Sequence, residues 1–193
     1  MTTIVRSNAG LLFMKVGTHA QEPLDAIIAR KSKEIEDTGY AMWGYGGSTC
    51  HPTTMVQPFA EAFVARNGPI LLCMQAMESK HRADPLRAHE FSPNSIDWHP
   101  IPDTIHVRGS RYALVIKNLR REEHDLPLNQ TQVAVGRQRG RLGSRYVRGR
   151  VDKACLEVLP QAELTNEPEV SPIKIDLVAE LVEPYAVFLR DYR

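Results

Sequence analysis

Apolar positions along the chain recur with strand or helix period in short stretches, and those stretches mark out its elements. Residues 11–16 form a short apolar run closed by Gly17 and read as a buried strand, with Lys15 and His19 at or beyond its end. Leu24, Ile27, Ile28 and Ile35 are spaced for one face of a helix over residues 22–37, with Pro23 at a first helical position and Gly39 as its stop. The charged residues between them predict a polar outer face. Residues 40–45 predict a short strand, followed by a turn-rich loop (Gly46, Gly47, Ser48, Thr49) that ends at Cys50, His51 and Pro52. Met55, Val56, Phe59, Ala60, Phe63 and Val64 restore helical spacing, with Thr54 and Gln57 placed as a capping box and Asn67–Gly68 as the stop.

Residues 69–77 are apolar without alternation, as in a central strand covered on both faces. Residues 78–103 lack periodicity and carry four prolines and three histidines, which predicts a long loop or insertion. Beyond it, residues 104–107, 112–119, 132–135, 144–147 and 154–159 read as strands separated by Gly, Asn or charged turns. Residues 173–182 fit a strand or a helix equally. The order predicts an α+β fold in one domain over residues 1–193: a curled mixed sheet or open barrel flanked by two or three helices.

Composition narrows the class only a little. At 42% hydrophobic and 24% charged residues, the chain is neither disordered nor fibrous. No apolar run nears the ~20 residues of a membrane span and the first ten residues lack the pattern of a signal peptide, so a cytoplasmic protein with no membrane partner is expected. The three cysteines, Cys50, Cys73 and Cys155, are far apart and lack metal or disulfide spacing. His81, His89 and His99 match no zinc pattern, and no metal or other cofactor is expected.

Charge changes the picture more. The net charge of +1 conceals a block at residues 107–150 with 11 Lys/Arg against 3 Asp/Glu, followed by an acidic segment at residues 151–193 with 4 against 9. All but one of the block's cations are arginines, which suit bidentate contact with phosphate and stacking on bases. Within it, residues 136–150 predict a basic hairpin or arm, with Arg137, Arg139, Arg141, Arg145 and Arg148 as candidate phosphate contacts and Tyr146 as a stacking surface. A solvated or ion-paired face explains the same block without a ligand.

Trp43 and Tyr45 stand beside the glycine-rich loop, where a flat ligand can meet side chain and backbone together. A tryptophan anchoring the core is the plainer account of Trp43. The same loop places Cys50 before a helix start, so a Cys50-dependent hydrolase or nucleic-acid-modifying enzyme, with His51 or His19 as base, is the competing function.

The segments FMKVG (residues 13–17), GYAMW (39–43) and NGPILLCM (67–74) resemble, in pattern and order, those of YTH domains and their EVE relatives in the PUA-like superfamily. The resemblance rests mainly on residues 11–77. The extra glycines after Trp43, the segment 78–103 and the acidic C-terminal segment depart from the family's pattern. It implies a PUA-like fold and a binding module for DNA or RNA carrying a modified base, or for a free nucleotide, although the same architecture also hosts some enzymes. By that resemblance Trp43 is a cage wall, Trp98 the second cage aromatic, Lys15 a backbone-phosphate contact, and Ser48 and Thr49 neighbours of the base.

Overall fold

The computed structural model describes residues 8–81, 86–147, 151–160 and 172–191. Its centre is β1 (Gly10–His19), which pairs in parallel with β3 (Leu71–His81) and antiparallel with β8 (Lys153–Val158). Leu12, Met14 and Val16 of β1 face one apolar cluster, while Leu11 and Phe13 face a second. A strand covered on both sides must be apolar at successive positions, which is why no alternation appears in its sequence.

Between β1 and β3 the chain forms α1 (Leu24–Thr38), β2 (Ala41–Tyr45) and α2 (Gln57–Asn67). Pro23 is the residue just before α1 rather than its first turn, and Gly39, at φ 86°, ends it by donating its N–H to the Ile35 carbonyl. The capping box expected at Thr54 and Gln57 does not form. A wide helical turn, Pro52–Val56, precedes α2 instead, and the His51 carbonyl accepts the N–H groups of both Met55 and Val56. Pro58 then falls in the first turn of α2, where its missing N–H costs nothing.

The remaining strands are β4 (Glu90–Ser92), β5 (His99–Pro100), β6 (Tyr112–Leu126), β7 (Thr131–Val133) and β9 (Ile173–Arg190). The sheet runs β2-β6-β9-β3-β1-β8-β7, with β4 added to β9 and β5 to β4. The ambiguous segment at 173–182 is therefore a strand, and it continues to Arg190. Opposite β6 it bulges at residues 182–185, because Leu114 pairs with Ala186 while Ile116 pairs with Leu181. Pro184 sits in that bulge, where it interrupts no ladder.

Four strands separate β2 from β8 in the order, yet the Lys153 ammonium on β8 stands 6.0 Å from the Tyr45 ring centre on β2. The sheet is thus strongly curled, though not closed. Overall this is an α+β architecture of nine strands and three helices among the described residues. Two expected strands are absent. Residues 144–147 lie largely in a single helical turn, α3 (Gly143–Tyr146), and residues 104–107 join no ladder. Ile105 and Val107 instead plug a third apolar cluster beneath β4. The segment 78–103 is less irregular than its composition suggests, since β3 extends into it and β4 and β5 lie within it.

Candidate ligand-binding cleft

Where β1 and β2 end on the curled sheet, a cleft of about 510 Å³ opens between them. Its walls come from the end of β1, the middle of α1, the end of β2, residues 106–110 and the start of β8. A bulge follows Val16 in the pairing of β1 with β3, and Gly17 is required there, because a Cβ would stand 2.6 Å from the Met77 carbonyl. Beyond the bulge Thr18 and His19 join Lys15 in the cleft lining.

Trp43 and Tyr45 form the aromatic floor. Both are core residues as well, 6% and 4% exposed. Each therefore presents only part of its ring to the cleft and acts as a rigid wall, not as a movable flap. The Tyr45 hydroxyl donates to the Cys50 carbonyl at 2.8 Å, its ring packs 5.5 Å from Tyr112, and burial holds its pKa far above the usual phenol value.

The side of the cleft formed by α1 is charged and largely closed to solvent. Glu34 accepts from Arg30 at 3.0 Å, from Lys31 at 2.8 Å and from the His106 N–H at 3.0 Å. Arg30 and Lys31 both donate to the His106 carbonyl, and Arg30 also pairs with Glu22 through two hydrogen bonds. The hydrogen bonds from Arg30 hold the Glu22 carboxyl below its ordinary pKa, while burial brings the Lys31 ammonium down to about 8. Charged residues of α1 expected to be solvated therefore lie in part on its inward face, where Lys31 and Glu34 form a buried ionic anchor for residues 106–110.

Of the residues singled out from the sequence, Lys15, His19, Trp43 and Tyr45 line this cleft. Lys15 lies 3.9 Å from the Asp152 carboxylate, and His19 Nε2 lies 2.9 Å from the Arg108 carbonyl. Ser48 and Thr49 fall just beyond the lining, which stops at Gly47 in the loop after β2. Trp98 does not join Trp43; it stacks on the Arg190 guanidinium at 4.0 Å, and Arg190 in turn pairs with Glu90. Arg137, Arg139, Arg141 and Arg145 are exposed and lie outside the lining, and Arg148 lies outside the described residues.

Cys50 has no exposed surface, and its thiol packs 3.8 Å from that of Cys155. His51 is turned edge-on to the rings of Tyr112 and Phe188. A substrate has no route to such a thiol in this conformation. Among the described residues no three His, Cys, Asp or Glu side chains gather as a metal site would require, and no helix is long and apolar enough to cross a membrane.

Sequence reasoning missed Arg30, Lys31, Glu34, Arg108 and Lys153. One signal was available for two of them, because Lys31 and Glu34 continue the 24, 27 spacing of the apolar stripe on α1. What fold and cleft define together is an α+β protein with a concave, mainly cationic cleft at the strand ends. No protein-family model, curated protein or solved structure matches the chain.

Proposed function

We propose that the protein is a nucleic-acid-binding module of PUA-like type that takes a modified or extruded base into this cleft. The polymer is DNA or RNA, and a free nucleotide meets the same chemistry. The observation that carries the reading is the convergence of Trp43, Tyr45 and Lys15 on one concave site, a flat apolar floor with cations around it. Rigid aromatic walls favour a planar ligand, since stacking requires no reordering of the protein. The exposed arginines of residues 137–145 add a sequence-independent attraction for a polyanion. Three buried free thiols fit the reducing cytoplasm.

The chain has two tryptophans, so Trp98→Phe leaves Trp43 as its only indole reporter. Titrating that variant with single-stranded oligonucleotides bearing methylated or unmodified bases should change Trp43 emission saturably, with the methylated base bound more tightly. Trp43→Phe should reduce that preference, and truncation of the ring should remove ~1 to 3 kcal/mol of base stacking. Because Trp43 is largely core, Trp43→Ala should also cost ~3 to 5 kcal/mol of folding stability, so affinity is compared in Trp43→Phe, read from the anisotropy of a dye-labelled oligonucleotide since that variant lacks the indole reporter. Equal affinity for modified and unmodified oligonucleotides in the wild type would sink selective base recognition.

A further inference from the structure

Residues 106–110 are fixed at several points. The His106 N–H and carbonyl are both taken by the Glu34, Arg30 and Lys31 cluster, the Arg108 carbonyl by His19, and Arg108 forms an isolated bridge with Arg87. Ser110 packs against Gly44, where any side chain would collide with it. At the centre of these anchors the Arg108 side chain is exposed on the cleft; its charge reaches the Glu22 carboxylate through space, but its guanidinium makes no hydrogen bond or contact ion pair with any described residue. Lys153 repeats the arrangement. Its backbone is held by pairing with Met14, while its ammonium meets only the Tyr45 ring and lies near Gly47, with no carboxylate in ion-pair contact among the described residues.

The other cations lining the cleft differ. Lys15 faces Asp152, and Arg30 and Lys31 are matched by Glu22 and Glu34. A cation on a fixed backbone, beside an aromatic floor and without an acceptor of its own, is preorganised for an anion carried by the ligand. We propose that Arg108 and Lys153 bind the phosphate of the nucleotide whose base occupies the cleft. Arginine supplies a two-point fork and lysine a point charge, so phosphate position and total charge are both read. The inference rests on the base-binding reading above and adds to it contacts with that nucleotide's own phosphate, separate from those of the exposed arginines at 137–145 with the rest of a polymer.

The test uses the full chain carrying Trp98→Phe, titrated with adenosine, cytidine, guanosine and uridine, with their 5′-monophosphates and base-methylated forms, and with inorganic phosphate alone. A monophosphate should bind about tenfold more tightly than its nucleoside, with that gain falling as salt rises. Arg108→Ala and Lys153→Ala should each lower the gain, taken as the ratio of monophosphate to nucleoside affinity within the same variant, to threefold or less. The wild-type ratio needs no variant to fold, so equal binding of nucleoside and monophosphate by the unaltered site overturns the inference. So does a variant that melts like wild type and keeps the full gain. Failure of the base-binding reading looks different: no nucleoside, monophosphate or oligonucleotide alters Trp43 emission, or inorganic phosphate binds as tightly as any monophosphate.

Discussion

Lys31 and Glu34, three residues apart on α1, form an ion pair of 2.8 Å with side chains only 3% and 2% exposed, and both also bind His106. Two charges are buried here at the cost of their hydration, and the cost is offset by filling nearly every acceptor and donor with a partner. Breaking one side of such a cluster leaves the other uncompensated. Glu34→Gln keeps the shape but removes the charge facing Lys31 and Arg30, and it should cost ~3 to 5 kcal/mol in urea unfolding. A loss below about 1 kcal/mol would mean that the cluster contributes as weakly as a surface ion pair.

The same burial makes stability depend on alkaline pH. The Lys31 ammonium titrates at about 8 in the folded chain against 10.5 as the ordinary value, so between these the unfolded chain binds more protons than the folded one. Stability from this group therefore rises as pH rises from 8 to 10.5, and it is lost as pH falls through 8. Over that range the wild type should gain up to roughly 3 kcal/mol relative to Lys31→Met. Comparison with the variant cancels the titration of other groups. A constant difference from pH 8 to 10.5 would contradict the lowered ammonium.

Thiol chemistry offers an independent check of the core. Cys50, Cys73 and Cys155 are 0%, 0% and 2% exposed. Burial pushes the Cys73 thiol up to about 12, and contact with Cys50 together with burial holds Cys155 well above the usual range. All three should resist an aromatic disulfide reagent at pH 8 in the folded protein and react together on unfolding. One cysteine reacting at once in the native state would reopen the question of a nucleophile at position 50.

Much of the first half of the fold is legible because each of its elements meets its own partner surface. Leu24, Ile27 and Ile35 fix α1 by period alone, and residues 69–77 read as a central strand because β3 is flanked by β1 and β9. Residues 144–147 look like a strand by composition, but Gly143 packs so closely on Thr131 that the chain turns there into α3 instead. The cleft was legible in Lys15, Trp43 and Tyr45, which lie at strand ends beside glycines. Arg108 and Lys153 were not. Nothing local distinguishes them from other surface cations, and only the curl of the sheet carries β8 across to β2. Trp98 shows the converse: its aromatic character suggested a cage, but its ring is taken by Arg190.

The basic arm at residues 136–145 can now be separated from the cleft. Its turn is compact, with Arg139 N–H bonded to Gly136, Arg141 N–H to Gln138, and the Arg141 carbonyl accepting from Val133. Gly136 lies against Met55, since a Cβ there would stand 3.0 Å from the methionine Cε. Arg137, Arg139 and Arg141 are all exposed, and Arg141 donates to the Gln138 side chain at 3.2 Å. Cations held at a surface in this way should meet phosphates of a polymer without reading its bases. Replacing all three by alanine should reduce the slope of log affinity against log salt by up to ~2 for single-stranded oligonucleotides, at ~0.7 per phosphate contact. Affinity for mononucleotides, and the preference for a methylated base, should be retained, because neither depends on chain beyond the cleft. Binding measured across a salt series for wild type and the triple variant decides the matter. An unchanged slope would identify the turn as a solvated face and leave the cleft as the whole of the binding surface.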